Sequence, residues 1–207
     1  YIIANISKGT RTIITNKNPL MKFTKRTSID LVPDVILVDG NDYELALKTI
    51  LDNPKSISII DAGSIKEGTI DLCKHVNYVV CSNDFAREYS KIDFSYDDMA
   101  SLIKVHQKLE NDFDSIVVIT LESHGCFTKI NGNYTIIPSI KVESVDSTGA
   151  GDIFHGAFAY CLLKKYDIEK SIKIANIAGA ISVTRLGGRY SMPSLKEVMS
   201  TYKKCLK

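Results

Sequence analysis

The sequence predicts an α/β fold of three layers, with a mainly parallel central sheet and helices on both faces. The first observation is a set of short, continuously apolar runs, which are typical of parallel strands buried on both faces. The second is that segments with helical spacing of apolar residues lie between these runs, which indicates strand–helix–strand units. The third is that turn residues such as Asp39-Gly40 and Gly63 close the runs, so each strand has a defined end.

The first half of the chain is predicted to contain a hairpin and three of these strands. "YIIANI" and "TRTIIT" are β-rich runs joined by "SKG", so residues 1–16 are predicted to form a hairpin at the edge of the core or in a lid. The proline-broken segment 16–34 is predicted to be a loop. Strands are predicted at 34–40, 56–64 and 78–82, and helices at 43–53, 68–76, 83–90 and 96–111. In the last helix, one face is predicted to carry Met99, Leu102, Ile103, His106 and Leu109.

The second half is predicted to contain a fourth strand, a hairpin and two helices rich in small residues. The strand is "SIVVITL" (115–121), and the hairpin spans 126–142 around Asn131-Gly132. A helix is predicted to follow the stretch "DSTGAGD", and another lies within 170–188. No segment reads as a linker, so residues 1–207 are predicted to be one domain.

Composition excludes several classes of function. The chain has 207 residues, 44% of them hydrophobic, and a formal net charge of +2, which gives no argument for binding to nucleic acid or to a membrane surface. Five dispersed cysteines favour free thiols in the cytoplasm over a disulfide framework. The apolar stretches are too short for a membrane-spanning helix.

The predicted strand ends bring polar turns together. In open α/β sheets, ligands bind beyond the carboxyl ends of the strands. We therefore expect one long crevice. Its edge would be formed by 39–40, 61–63, 82–83, 120–125 and 146–152.

The stretch "DSTGAGD" (146–152) has the composition of an anion site. Its small residues let a ligand approach the main chain, and the first N–H groups of the following helix have no intrahelical acceptor. Together with the helix dipole, such amides suit a phosphate. Asp152 beside them has a role if it takes a proton from a hydroxyl that attacks the phosphate. The alternative is that Asp152 is a helix N-terminal acid and the glycines only make a tight turn.

Two familiar phosphate-binding patterns do not fit this stretch. A dinucleotide-binding fingerprint would need glycine at position 154, where Phe154 stands. A Walker loop would need Lys and Ser or Thr after Gly156, which is followed by Ala157-Phe158. The loop is therefore predicted to bind phosphate in another way.

"DSTGAGDIFHGAF" resembles the C-terminal signature of the PfkB, or ribokinase-like, carbohydrate kinases. The neighbouring stretches "VVITLESHGC", "IANIAGAISVTRLGGRYSMPS", "LVDGNDYELAL", "IIDAGS" and "YVVCSNDFARE" resemble further parts of that family in order and spacing. The resemblance covers nearly the whole chain. It implies a ribokinase-like fold and ATP-dependent phosphorylation of a sugar or sugar-like hydroxyl.

The resemblance also implies roles for particular residues. Asp152 would deprotonate the acceptor hydroxyl, and the amides of Gly149, Ala150 and Gly151 would form the anion hole. The nucleotide would lie near Thr120, Gly125, Asn176 and Asn83. In many members the matching loops hold a monovalent cation, here at Asp146, Thr148, Ser182, Arg185, Gly187 and Ser191.

Several of these residues have a structural alternative. Asn176 could lie on the helix surface, Arg185 could pair with a carboxylate, and Thr120 could simply end a strand. His155 is predicted to be a packed, neutral core histidine. The cofactors implied are ATP and Mg²⁺, with K⁺ as the candidate monovalent ion, and a homodimer is left open.

The sequence departs from the family pattern in three places. The N-x-x-E of many members has Ala86 at the position of the Glu, so either Asp84 or Glu88 substitutes for it or the chain belongs to a branch without it. The first glycine of T-L-G-x-x-G is Glu122, whose carboxylate must point outward to tolerate nearby phosphates. The N-terminal part of the family, which carries most sugar contacts, is not in this sequence, so an exposed sheet edge and an uncovered apolar face are expected.

Three functions therefore stay open. The first is a kinase of a sugar-like hydroxyl with Asp152 as the base. The second is a nucleoside kinase of the same superfamily. The third is a catalytically incompetent fragment that binds a nucleotide or nothing.

Overall fold

The computed structural model describes residues 2–5, 10–14, 31–66 and 68–206. Strands β1 (Ile2–Asn5) and β2 (Thr10–Ile13) pair antiparallel, as expected for the two arms of the predicted hairpin. Its "SKG" turn and most of the predicted 16–34 loop lie outside the described residues.

The remaining strands form one six-stranded sheet in sequential order. The strands β3 to β6 are parallel, and β7 and β8 add an antiparallel hairpin. Asn131 and Gly132 form the turn of that hairpin, both with positive φ (50° and 82°), as a two-residue turn requires. The mainly parallel sheet is therefore confirmed. The strands are β3 (Val35–Asp39), β4 (Ile57–Ala62), β5 (Tyr78–Ser82), β6 (Ile116–Thr120), β7 (Cys126–Ile130) and β8 (Asn133–Ile137).

Helices cover both faces of the sheet, which confirms the three layers. One face carries α1 (Tyr43–Asp52), α2 (Thr69–Cys73), α3 (Asn83–Ser90) and α4 (Met99–Phe113). The other carries α5 (Ala150–Leu163) and α6 (Ile168–Ser182), and α7 (Leu195–Cys205) packs against α6. Successive residues of a strand point to opposite faces, so Val79 packs in the first core and Val80 in the second.

Side-chain caps explain where most helices begin. Asp42, Ser82, Asp98, Asp167 and Ser194 each accept a hydrogen bond from an amide of the first turn. The cap at Asp98 starts α4 three residues later than predicted. The buried face of α4 also differs from the predicted one, because Met99 is exposed. The buried residues of α4 are Leu102, Val105, His106, Leu109 and Phe113.

Strand β3 has a neighbour on one side only within the described part of the chain. Leu37 on this strand is exposed, as are Leu31 and Val32 before it. The expected sheet edge is therefore seen. The expected uncovered face is reduced to these few side chains, since helices pack on both sides of β3 and β4.

In the part of the chain that the structure describes, no helix combines the length and the apolar character that crossing a membrane would require. All five cysteines are free thiols, and only Cys205 is exposed.

Candidate active site

Helix α5 begins at the small-residue stretch that the sequence analysis singled out. Gly149 caps the helix in the left-handed conformation, with φ 76° and ψ 4°. A Cβ at this position would lie 3.0 Å from the Cα of Gly188, so the bare backbone also permits close approach of a second loop. Asp152 lies in the first helical turn with an exposed side chain. The predicted helix start is confirmed.

The first amides of α5 differ in their partners. Among the described residues, the N–H groups of Gly149, Gly151 and Asp152 have no hydrogen-bond acceptor in suitable geometry. The Ala150 N–H meets the Ser147 carbonyl at 3.3 Å, and the Ile153 N–H makes the first regular helical bond, to Gly149, at 2.9 Å. Unpaired donors at the positive end of a 14-residue helix can bind an anion.

The strand ends lie side by side, as predicted. Asp39 is in register with Asp61, and Ser82 with Thr120. The Asp39 carboxylate accepts hydrogen bonds from the backbone and side chain of Asn41. A groove of about 650 Å³ is lined by residues around Asn77 and Asp114. It lies at the amino ends of β4 to β6, so it is on the opposite side of the sheet from the carboxyl ends of the strands.

Gly125 and Asn176 meet at the end of β8. Gly125 has φ 100°, and a Cβ there would lie 2.1 Å from the carbonyl oxygen of Ile137. The side chain of Asn176 donates to the same Ile137 oxygen at 3.0 Å and to that of Pro138 at 3.4 Å, and it accepts from the Cys126 thiol at 3.1 Å. Asn176 is thus buried and bonded, so the alternative of a surface residue is wrong.

Thr120 ends β6, and its hydroxyl donates to the Cys81 carbonyl at 3.3 Å. Asn83 begins α3 and is buried. It donates to the Tyr96 hydroxyl at 2.6 Å and accepts from the Asp84 amide. The Tyr96 ring in turn contacts His124, with 4.4 Å between ring centroids. This link between the ends of β5 and β6 was not anticipated, because Tyr96 was predicted to begin a helix, whereas it lies in the loop before α4.

The departures from the family pattern have structural counterparts. The Ala86 side chain is completely buried in the core beneath α3, whereas Asp84 is exposed and 3.8 Å from Arg87. Glu122 is exposed and has φ 53°, a conformation that glycine adopts without strain. It opens a short 3₁₀ helix, Glu122–His124, which the sequence did not predict.

Four of the six residues assigned to the cation come together. The buried carboxylate of Asp146 accepts from the amides of Thr148 (2.9 Å) and Gly187 (2.8 Å), so it joins two loops. Ser191 is buried and donates to the Gly188 carbonyl at 3.1 Å. The Thr148 hydroxyl is buried with no hydrogen-bond partner among the described residues.

The other two assigned residues make contacts elsewhere. The Ser182 hydroxyl donates back to Gly179 within its own helix, at 2.7 Å. The Arg185 guanidinium pairs with Glu197 on α7, so the structural alternative for Arg185 is the one seen.

Asp61 and His155 form a pair that the sequence analysis did not assign to the site. Asp61 ends β4, and its Oδ2 lies 3.4 Å from Nδ1 of His155 on α5. Burial raises the pKa of Asp61, and the negative charges of Asp152 and Asp39 raise it further. A positive charge on the His155 ring opposes this rise. The available signal was an acid that ends a continuously buried strand in "SIIDAGS".

Comparisons with known proteins agree on one family. A family model described as pfkB family carbohydrate kinase matches residues 1–195. The ribokinase of Lactococcus lactis is 35% identical over 97 residues, which are 47% of this chain and 32% of that protein. This chain thus matches about a third of that relative's length.

Solved structures show the same fold. Ribokinase from Thermotoga maritima is 26% identical, with a TM-score of 0.71 over 83% of this chain and 57% of that one. Arabidopsis thaliana ribokinase, solved with ribose and ATP, is 20% identical, with a TM-score of 0.73 over 82% of this chain and 56% of that one.

Proposed function

The chain belongs to the pfkB family of carbohydrate kinases, and we propose that it transfers the γ-phosphoryl group of ATP to a hydroxyl group of a sugar or sugar-like small molecule. The observation that carries this proposal is the start of α5. There an exposed carboxylate, Asp152, lies within one turn of the amides of Gly149 and Gly151, which have no partner among the residues that the structure describes. Phosphoryl transfer needs these two groups, a base for the hydroxyl and donors for the phosphoryl oxygens.

In the proposed reaction, the acceptor oxygen attacks the γ-phosphorus and loses its proton to the Asp152 carboxylate. The bond between the γ-phosphorus and the β–γ bridging oxygen breaks, and ADP leaves with that electron pair. The amides of Gly149 and Gly151 donate to the transferring oxygens. The Ala150 amide joins them by exchanging its long contact with Ser147.

We assign the nucleotide to the ends of β6 and β8. Thr120 and Gly125 would border it, and Asn83 would lie beside it. Asn176 would contribute as a support for the Ile137–Pro138 backbone, because both of its amide hydrogens already bond there. The ribokinase of Cryptococcus neoformans was solved with ADP and that of Arabidopsis thaliana with ribose and ATP, which supports ATP as the donor and a sugar as the acceptor.

The loops around Asp146 fit a monovalent cation such as K⁺. Hard cations take oxygen ligands. The Thr148 hydroxyl offers such an oxygen, because it has no hydrogen-bond partner among the described residues, and the amide of the same residue bonds to the Asp146 carboxylate. We assign Asp146, Thr148, Gly187 and Ser191 to this site and leave out Ser182 and Arg185, whose side chains bond elsewhere. A bound cation would add positive charge beside the first turn of α5. Mg²⁺ would come with the ATP phosphates and neutralise charge on them.

The substitution Asp152→Asn tests the role of the base. It keeps the size of the side chain but cannot take the proton, so kcat should fall by about 10²–10⁴-fold while ATP binding is retained. The matched control is Glu169→Gln, which changes an exposed first-turn acid of α6 and should leave kcat unchanged. Normal turnover in the Asp152→Asn variant would remove Asp152 as the base.

A screen of acceptors tests the substrate class. Base-free sugars and nucleosides are offered with ATP to the 207-residue chain, and a sugar is expected to be phosphorylated. Preference for a nucleoside would move the chain to the nucleoside kinases of the superfamily. ATP binding without transfer to any acceptor would overturn the proposed activity. A cytoplasmic location, which the dispersed cysteines favour, and a homodimer stay predictions.

A further inference from the structure

His155 lies one turn into α5, on the side of the helix that faces the sheet. Its side chain is 7% exposed. Nδ1 lies 2.7 Å from the carbonyl oxygen of Gly151, one turn back in the same helix, and Nε2 lies 3.3 Å from the carbonyl oxygen of Val80 on β5. The ring thus connects the first turn of α5 to the sheet.

Both ring nitrogens therefore face an oxygen that can only accept. A neutral imidazole has one N–H and one lone pair, so in either tautomer one nitrogen would turn its lone pair toward a carbonyl lone pair. The doubly protonated ring donates to both oxygens at once. The hydrogen-bond pattern therefore favours a ring that donates from both nitrogens. The burial that the sequence predicted for His155 is confirmed, whereas its neutral state stays a prediction.

A counter-ion for this charge is present. Oδ2 of Asp61, at the end of β4, lies 3.4 Å from Nδ1, and the Asp61 side chain is 24% exposed. The other charged groups that act on Asp61 are Asp39 on β3, Lys66 after β4 and Asp152 on α5 itself. On α6, which packs along α5, the charged residues Glu169, Lys170 and Lys173 lie in the first two turns, and Lys170 acts on Cys161 near the far end of α5.

We propose that Asp61 and the imidazolium of His155 form a partly buried ion pair that positions the first turn of α5, and with it the carboxylate of Asp152. The positioning role rests on the proposed kinase function, whereas the ion pair itself does not. His155 holds the oxygen of the Gly151–Asp152 peptide, and because a peptide unit is planar, this also orients the N–H of Asp152 on its other side. Asp61 and His155 are thus positioning residues for the base and for the N–H of Asp152 beside the anion hole.

The charge state is tested by NMR on the full chain with ¹⁵N-labelled histidine at pH 7. His155, assigned by its loss in the His155→Gln variant, should show both ring nitrogens protonated. His106 is the internal control, because burial lowers its pKa. Within the described part of the chain its ring makes a hydrogen bond only from Nε2, to the Val117 carbonyl, which needs only a neutral ring. In Asp61→Asn, His155 should change to the neutral form. A neutral His155 in the unaltered chain would overturn the ion pair, and this result does not depend on any enzymatic activity.

The positioning role is tested by kinetics with ATP and the acceptor found in the screen. Asp61→Asn and His155→Asn should each lower kcat about 10–100-fold, with the KM for ATP changed less than twofold, because a displaced base affects the transition state more than nucleotide binding. The double variant should be no slower than the worse single one, since the two residues act as a unit.

The matched control for the kinetics is His75→Gln, which removes an exposed histidine 3.7 Å from Asp71 and should leave kcat unchanged. An unchanged kcat in folded Asp61→Asn would overturn the positioning role even where NMR shows the ion pair. A chain that phosphorylates no acceptor fails the proposed function, and the NMR result then decides the ion pair alone.

Discussion

Replacement of Gly125 by alanine should destabilise the protein far more than the same change at Gly132. A Cβ at position 125 would lie 2.1 Å from the Ile137 oxygen and 2.7 Å from the Ser139 nitrogen. Carbon–oxygen contacts normally begin near 3.3 Å, so the backbone of β8 must move by about 1 Å. That backbone also accepts the hydrogen bond of Asn176.

The size of the effect follows from two contributions. Gly125 has φ 100° and ψ −133°, close to a region that only glycine occupies easily, which costs an alanine about 1–3 kcal/mol. Overpacking against backbone adds about 1–3 kcal/mol. Alanine also restricts the unfolded chain, which offsets about 0.4–1 kcal/mol of this loss. At mid-range values we therefore expect Gly125→Ala to lower the free energy of unfolding by about 3 kcal/mol, a large part of the roughly 5–15 kcal/mol typical of a domain.

Gly132→Ala is the matched control. Gly132 also has a positive φ, 82°, but among the described residues no atom beyond its chain neighbours lies within 4 Å of a Cβ built there. The left-handed conformation costs an alanine about 1–2 kcal/mol. Alanine also lowers the conformational entropy of the unfolded chain, which offsets about 0.4–1 kcal/mol, so the free energy of unfolding should fall by about 1 kcal/mol. Urea unfolding at 25 °C measures both variants. Equal losses would show that the close approach to Ile137 is not what requires glycine at position 125.

Two further predictions concern stability. Glu122→Gly should stabilise the chain by about 0.5–1 kcal/mol in urea, because the left-handed strain of about 1–2 kcal/mol exceeds the entropic cost of glycine; Glu122→Ala keeps the strain, and an equal gain in that variant would contradict this reason. Burial lowers the pKa of His106 below its usual 6.5, so as the pH falls below that value the unfolded chain takes up the proton first and stability is lost. The fall in unfolding free energy between pH 7.5 and 5.5 should be smaller in His106→Gln, and an identical pH dependence in both proteins would refute the assignment to His106.

Local patterns predicted the fold and the backbone of the site. Continuous apolar runs located the strands because parallel strands are buried on both faces, and the small residues before Ile153 located the start of α5 because a helix N-terminus leaves amides free. These features depend on residues close together in the chain. The start of α4 was predicted wrongly because several polar residues around Asp98 could each have been the N-cap.

Partnerships between distant side chains could not be predicted in the same way. The pairing of Arg185 with Glu197 and that of His155 with Asp61 depend on how helices pack on the sheet. Whether a polar residue of a motif faces solvent or backbone is also decided by packing, as the burial of Asn176 and the outward Glu122 show. The sequence therefore indicated which residues lie near the site more reliably than it indicated what each one bonds to.

The bonding of Asn176 has a consequence for how loss-of-function variants are interpreted. Its side chain joins α6 to both strands of the last hairpin, through Cys126 on one strand and the Ile137–Pro138 carbonyls on the other. Truncation would leave buried polar groups without partners and loosen the hairpin, whatever the residue does for a nucleotide. A mutational scan scored by activity alone would therefore count position 176 as a nucleotide contact. The loss of activity would instead come from the loosened hairpin, whose backbone borders the proposed nucleotide site.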